Sequence, residues 1–458
     1  MIHQYKNNGY NIAIDVNSGA VHLLDDICYE SLEHLEEKKP VEEDYSYEEM
    51  KSFENDEFFE KPEYKEALME LIELKKAGVL YYPETHESMI TEVMDRKTVV
   101  KAMCLHIAHD CNLACQYCFA EEGEYHGRRA LMSYEVGRKA LDYLIENSGI
   151  RKNLEVDFFG GEPLMNWQVV KDLVAYGRSR EEECNKHFRF TLTTNGVLLN
   201  DEVMEFVNKE MDNVVISLDG RKSVNDKMRP FRNGTGSYDL IVPKFQKLAD
   251  SRNQEKYYIR GTFTRNNLDF SNDVLHFADL GFKQMSIEPV VGDETEPYSI
   301  REEDLPQIKE EYDKLAKAII DREREGNCFN FFHFMIDLEG GPCIAKRISG
   351  CGSGTEYLAV TPWGDFYPCH QFVGDEKFLM GNVDIGINNS RLQDDFRKCN
   401  VYTKPSCSKC FAKFYCSGGC MANGYNQHGD LNETYEIGCE MQRKRIECAI
   451  MIKAAQSK

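Results

Sequence analysis

No run of eighteen apolar residues occurs in this 458-residue chain, so no ordinary membrane-crossing helix is expected. The opening residues, Met1-Ile2-His3-Gln4-Tyr5-Lys6, lack the apolar stretch of a secretory signal. Positive charge is also scarce. Against 78 Asp and Glu stand 55 Lys and Arg, a net charge of −23. Nucleic acids and anionic membranes both need a basic face, so neither is an expected partner. The expectation is a soluble, cytoplasmic protein. Cysteine, by contrast, is abundant, with 17 residues. In a reducing compartment that number points to metal or redox chemistry rather than to disulfides. A hydrophobic content of 42% suffices for real cores, and the length implies two or three domains.

The densest signal is Cys111-Asn112-Leu113-Ala114-Cys115-Gln116-Tyr117-Cys118-Phe119, which follows the apolar run Met103 to Ala108. Four thiolates complete a cubane iron–sulfur cluster, and three leave one iron open to a chelating small molecule. Zinc is the alternative for so close a trio. The C-x3-C-x2-C spacing, with aromatic Tyr117 and Phe119, resembles the radical S-adenosylmethionine (SAM) enzymes. In that superfamily the open iron binds the amino and carboxylate groups of SAM.

Strand-like runs then alternate with helix-like ones. Strands are expected at Met103 to Ala108, Leu154 to Phe159, Phe188 to Thr193, Asn213 to Leu218, Tyr257 to Phe263 and Gln284 to Glu288. Helical spacing fills Ser133 to Glu146, Trp167 to Arg180, Asp201 to Asn208, Ser237 to Ala249 and Phe270 to Leu280. This alternation implies parallel βα units. Six of them fit the partial (β/α)6 barrel that the resemblance implies, with active residues at the strands' C-terminal ends. Gly160-Gly161-Glu162-Pro163 follows the second strand. Its glycines permit close backbone approach, and its carboxylate can accept from an ammonium. It matches the superfamily's GGEP segment, which meets the SAM amino group. Thr194 and Asn195 resemble the family's polar segment near SAM. Ser217 and Asp219 are candidates for the SAM ribose or carboxylate, although Asp219-Gly220 also reads as a simple turn. Arg229 can fork onto the SAM carboxylate or sit solvated at the surface. Ile287 is a candidate adenine contact or a core residue. His106 and His109 flank the first strand's end and receive no role.

Before residue 96, Tyr10 to Val16 and Ala20 to Leu24 read as a β-hairpin around Asn17-Ser18-Gly19. Asp25 or Asp26 caps a helix to about Leu35, an acidic, loop-prone stretch covers Glu36 to Glu60, and Pro62 starts another helix. Val79 to Pro83 reads as a short strand. This order resembles the winged-helix-like domain of peptide maturases, which adds a leader peptide as an edge strand. The alternative is an unrelated structural appendage.

In the last third, Cys351 and Cys369 flank Gly364, and Cys407-x2-Cys410-x5-Cys416-x3-Cys420 is followed by Cys439. The pattern resembles the SPASM extension of peptide-modifying radical SAM enzymes. A zinc ribbon would account for Cys407 and Cys410 but not for the other five. The resemblance implies two auxiliary clusters. The inner one would take Cys351, Cys369 and Cys420; the outer one would take Cys407, Cys410, Cys416 and Cys439. Two cubanes want eight ligands, so the inner cluster either recruits Cys343 or Cys399 or keeps an open iron for a substrate thiolate. Cys28, Cys104, Cys184, Cys328 and Cys448 fit no cluster spacing and are expected to be packing residues.

The whole chain is similar to maturases of the small SCIFF peptides, which carry six cysteines in forty-five residues. That likeness implies a leader-recognition domain at 1–95, a radical SAM barrel at 96–330 and a SPASM domain at 331–458. It implies three [4Fe-4S] clusters, SAM, and an external flavodoxin- or ferredoxin-like electron donor. The substrate would be a cysteine-rich precursor peptide. The reaction would be thioether cross-linking, begun by a 5′-deoxyadenosyl radical that takes a hydrogen atom from an acceptor residue. Alternatives are a carbon–carbon cross-linking maturase, an anaerobic sulfatase maturase, or a non-catalytic peptide-binding electron carrier.

Overall fold

Ile2–Asn7 (β1), Tyr10–Asp15 (β2) and Val21–Leu24 (β3) form an antiparallel sheet in the order β1-β2-β3. The expected hairpin is therefore present, with β1 added to it. The computed structural model describes residues 1–39, 44–125, 127, 129–293, 295–340 and 343–457. Asp25 caps the helix Asp26–Lys38 by accepting from the Cys28 amide, and Pro62 opens the helix Pro62–Lys76.

Two expectations need correction here. The acidic stretch is not a loop, for it holds the helix Tyr47–Ser52, closed by a capping box between Ser46 and Glu49. Tyr45, Met50 and Phe59 anchor it among Leu32, Leu35 and Leu68; Pro40 to Glu43 lie outside the described residues. Residues 79–83 form no strand. Tyr81 has a φ of 51°, which an extended strand does not allow. The segment is held instead by Asp15, a fully buried carboxylate. Asp15 accepts from the Tyr82 amide at 2.8 Å and from the amides of Asn17 and Ser18 at 3.0 and 3.2 Å.

The central sheet is parallel, as the alternation implied. Its core strands are β4 (Ala102–His109), β6 (Asn153–Gly160), β7 (His187–Thr194), β8 (Asn213–Ser217), β9 (Tyr257–Phe263) and β10 (Gln284–Pro289). They neighbour one another in that order, with short β5 (Ala130–Leu131) beside β4 and β11 (Asn330–Phe331) beyond β10. Helices Tyr134–Asn147, Trp167–Cys184, Asp201–Glu210, Tyr238–Ser251 and Phe270–Asp279 connect the strands. Alternate strand residues, such as Leu105, Phe158, Phe190 and Ile259, pack with these helices in one hydrophobic core.

The C-terminal region is joined to this sheet. Strand β12 (Tyr357–Val360) runs parallel to β4, opposite β6, and β13 (Asp365–Tyr367), β14 (Gly381–Asn382) and β15 (Gly386–Ile387) continue antiparallel. Two long helices went unread in the sequence, Leu305–Arg324 and Glu436–Gln456, and they pack on each other. The first strand docks onto them. The Tyr5 hydroxyl donates to the Glu447 carbonyl at 2.9 Å, and Asn7 donates to Asp313 at 2.7 Å. Beside them, the His3 ring stacks on Phe411 at 3.5 Å. Among the described residues no helix is long and apolar enough to cross a membrane.

Asp15→Ala leaves three backbone amides without their acceptor, which costs about 2–3 kcal/mol. The expected outcome is faster proteolysis around Tyr82 and a lower first transition in thermal unfolding. Unchanged cleavage there would show that Asp15 is not the clamp.

Candidate active site

The cysteine loop leaves β4 and is pinned at several points. Asp110 accepts from the Cys111 amide at 2.9 Å. The loop also pairs with residues far along the chain: Leu113 bridges Phe231, and the Ala114 and Gln116 amides donate to the carbonyls of Pro230 and Met228. This pairing carries Arg229 to the loop. Nothing in local sequence pattern announces it, because the partners lie more than a hundred residues apart.

The two glycines after β6 meet protein backbone. A Cβ on Gly160 would lie 2.3 Å from the Ala108 oxygen, and one on Gly161 would lie 2.1 Å from the Asp110 oxygen. Both contacts are impossible for a larger residue. The approach lets the amides of Gly161 and Glu162 donate to Ala108 and Asp110 at 2.7 and 2.9 Å. Glu162 is thereby fixed beneath the cysteine loop and fully buried. Its carboxylate accepts from the Leu164 amide, the Thr194 hydroxyl and the Asn195 amide at 3.0, 2.8 and 2.8 Å. A carboxylate has about four acceptor positions, so one is left for a further donor. Asn195 also donates toward the Cys111 sulfur at 3.7 Å and to the Asn112 side chain at 2.7 Å. The structure thus joins the GGEP turn, the Thr194–Asn195 segment and the first cysteine in one hydrogen-bonded group.

A second group surrounds Tyr117. Its hydroxyl lies 2.7 Å from a carboxylate oxygen of buried Asp219 and receives a hydrogen bond from Arg229 at 2.8 Å. Asp219 also accepts from the Thr262 amide at 3.0 Å. Burial raises the Asp219 pKa, and the nearby Arg229 charge opposes that rise. Arg229 is therefore no solvated surface residue; its Nε is buried without a hydrogen-bond partner among the described residues. Ser217 is the last residue of β8 and half-buried. Phe119 is 40% exposed and faces the rings of Tyr125 and His370. Pro163 begins the turn under Glu162 and is buried.

One candidate is corrected. Ile287 is fully buried, and a Cβ on its neighbour Gly261 would lie 3.2 Å from its Cγ1. It alternates with Ser286 and Glu288 on β10, so it faces the helices and presents no surface to a nucleoside.

Burial pushes the Cys111 thiol up to about 12 and the Cys115 thiol to about 11, with Cys118 close enough to add to both. Left alone these thiols stay protonated, whereas a bound metal displaces the proton. In the C-terminal region the Cys369 thiol lies within electrostatic reach of Cys420 and Cys351. The other four, Cys407, Cys410, Cys416 and Cys439, line one cavity of about 200 Å³ together with Lys413 and Arg443. A neighbouring cavity of about 280 Å³ touches Cys416, Cys420 and Cys439 and reaches Glu288 and Arg445. Among the described residues no three His, Cys, Asp or Glu side chains converge as ligands of a single ion. Thiols spread around a void suit the larger cubane group. The two candidate eighth ligands differ in setting. Cys343 is exposed, and the Cys399 thiol donates to the Asp395 carbonyl at 3.3 Å. Of the cysteines expected in packing, Cys28, Cys104 and Cys448 are buried, but Cys184 is half-buried and Cys328 is exposed, with no core position to occupy.

The sequence profile of the radical SAM superfamily matches residues 105–260, the segment that carries the cysteine loop, the GGEP turn and Asp219. That segment is similar to the radical SAM superfamily. Over 337 residues it is 26% identical to the antilisterial bacteriocin subtilosin biosynthesis protein AlbA of Bacillus subtilis, covering 70% of this chain and 67% of AlbA. It is 24% identical over 335 residues to a cysteine-type anaerobic sulfatase-maturating enzyme of Clostridium novyi, covering 69% of this chain and 86% of that protein. The solved structure of Streptococcus suis SuiB bound to precursor peptide SuiA aligns with a TM-score of 0.53 at 15% identity, covering 95% of this chain and 98% of that one. The fold is thus matched over nearly the whole length of the chain, and the proteins it resembles include a bacteriocin biosynthesis protein and a sulfatase-maturating enzyme.

Gly161→Ala is expected to push the GGEP turn off the Asp110 backbone and lower iron retention at the first cluster, read as iron and sulfide per chain after anaerobic reconstitution. Tyr117→Phe removes the bridge between Asp219 and Arg229. It is expected to weaken SAM binding by roughly tenfold, the effect of losing one charge-assisted hydrogen bond, measured by equilibrium dialysis.

Proposed function

We propose that this protein forms intramolecular thioether cross-links, cysteine sulfur to carbon, in a ribosomally made cysteine-rich precursor peptide. The observation that carries the reading is the division of the C-terminal thiols. Four line one cavity, while Cys351, Cys369 and Cys420 lie within electrostatic reach of one another and the Cys399 thiol is turned to the Asp395 carbonyl. A cubane on the trio of Cys351, Cys369 and Cys420 would have a place left for a substrate thiolate. Cys111, Cys115 and Cys118 would hold the SAM-binding cluster. When bound, the first cluster with SAM supplies a carbon radical, and the two C-terminal clusters supply an electron sink.

The chain's own residues do the positioning. Glu162 keeps one acceptor position for the SAM ammonium, and Arg229 keeps buried donors for its carboxylate. Tyr117 locks Arg229 and Asp219 together, so neither has to reorganise when the ligand arrives. Gly160 and Gly161 hold the cysteine loop against β6. Ser217 ends β8 toward the same site. Glu162, Thr194 and Asp219 are buried, which keeps bulk water from the SAM-facing side.

The N-terminal sheet supports a leader-binding role. β3 pairs with β2 alone among the described strands, so its other edge is open to an added strand. A cavity of about 570 Å³ lies beside Val21 and Leu23, walled by Leu338 and Lys453. The likeness to the Clostridium novyi sulfatase-maturating enzyme favours a second reading, oxidation of a protein side chain without a leader. The open-edged sheet weighs against it.

Protein purified without oxygen is expected to carry about twelve irons per chain and no zinc. About four irons with zinc at the C-terminal thiols would make that region structural and end the thioether reading. Co-expressed with the short cysteine-rich peptide encoded nearest its gene, the enzyme is expected to remove two hydrogen atoms per cross-link. It should also leave that many cysteines resistant to iodoacetamide. A peptide recovered unchanged in mass, with every thiol alkylated, would overturn the proposal.

A further inference from the structure

The inner face of the parallel sheet changes character across its width. Over β4 it is covered: Cys104 packs with Ala359, Tyr367 and Phe372 of the C-terminal region, and His106 is buried on the same face. From β8 to β10 the same face is polar. Ser217, Arg260, Thr262, Ser286 and Glu288 alternate there with residues buried against the helices, such as Ile216, Ile259 and Met285. Arg260 stands at the centre of this polar half. It pairs in register with Ser217 on β8 and with Ser286 on β10.

The acid nearest to it along the sheet is already engaged. Glu288 lies 3.5 Å from the His333 ring and 3.7 Å from Arg445. His333 in turn meets the Ser286 hydroxyl at 3.0 Å. Arg260 is exposed, and among the described residues its guanidinium makes no ion pair and no side-chain hydrogen bond. Yet it stands within electrostatic reach of Glu288 and of His370, the residue after Cys369. It therefore sits between strand ends assigned to SAM and thiols assigned to the inner cluster. In a chain of net charge −23, no acidic partner among the described residues pairs with this exposed cation. A planar guanidinium held on a strand is built to take a carboxylate in a two-pronged hydrogen bond.

We propose that Arg260 is a specificity-determining residue that receives the side-chain carboxylate of an Asp or Glu in the substrate peptide. The contact fixes which peptide carbon stands between Ser217 and Cys369. This rests on the peptide-maturase reading and adds a chemical class to it: the modified segment carries an acidic residue close to its reacting position.

The test uses reconstituted holoenzyme with SAM and the fluorescein-labelled peptide Gly-Ser-Asp-Gly-Cys-Gly, compared with the same peptide carrying Asn or Lys in place of Asp. Wild type is expected to bind the Asp peptide at least about thirtyfold more tightly than the Asn peptide, as for a desolvated charge pair. Arg260→Gln is expected to bind both equally weakly, and Arg260→Lys to keep part of the preference. Arg260→Glu is expected to reverse it, preferring the Lys peptide. Iron content and the EPR spectrum of the reduced protein should match wild type in each variant. Equal binding of the Asp and Asn peptides by wild type overturns the proposal. An altered EPR spectrum in Arg260→Gln also overturns it, by assigning the arginine to a cofactor. Selective binding of the Asp peptide, with no peptide ever losing hydrogen, would sink the maturase reading and leave the carboxylate contact standing. Cross-linking of peptides without any acidic residue, at wild-type rates in Arg260→Gln, would do the reverse.

Discussion

Everything assigned to the SAM site hangs on the contact between the backbone after β6 and the backbone after β4. Two chain segments lie so close that only hydrogen fits on the α carbons of Gly160 and Gly161. The reward is local and immediate: two amides of the turn find carbonyl partners on the cysteine loop. It is also transmitted. Glu162 is set under that loop with three of its acceptor positions taken by Leu164, Thr194 and Asn195, so the end of β7 is registered against the first cysteine. A site assembled from three strand ends and a loop needs such tolerance because the loop itself has little regular structure. Its remaining support comes from Met228 to Phe231, which delivers Arg229 to Tyr117 and Asp219.

The second organising feature is the continuation of the sheet into the C-terminal region. Because β12 pairs with β4, the thiols of that region have a fixed relation to the cysteine loop that leaves the far end of β4. Side chains of both regions mix beneath them in one apolar cluster, which includes Cys104, Tyr125, Phe372 and Met421. Metal centres that exchange electrons work best when their spacing is held by packed secondary structure rather than by a linker. The covered half of the inner face lies over β4, and the polar half lies where β8, β9 and β10 end.

The parallel strands were legible because each combines an alternating apolar pattern with a turn at its end, and period-2 alternation survives any tertiary context that buries one face. The cysteine positions were legible because their spacing is chemical. What escaped the sequence was long-range. Helices Leu305–Arg324 and Glu436–Gln456 are stabilised mainly by each other, and β1 pairs with a hairpin already complete in appearance. The strand expected at residues 79–83 failed because Asp15 bends that segment to its own carboxylate, a contact invisible to local propensity. Arg260 escaped for a related reason. A lone arginine in a strand becomes informative only when its neighbours in space are seen to have other partners.

The docking of β1 onto the final helix has a consequence for how the molecule is made. Tyr5 and Glu447 are separated by 442 positions, and their hydrogen bond belongs to the same face as the His3–Phe411 stack. A ribosome releases the amino-terminal segment long before the helix that receives it exists. Until translation ends, the first sheet has one flank without its support. The surface offered to a peptide strand is therefore finished only together with the helix that carries Cys439 and the wall of the outer thiol cavity. Truncated chains would lack both at once. Under the proposed reading, a precursor peptide is thus kept from being captured by an enzyme that has no means of processing it.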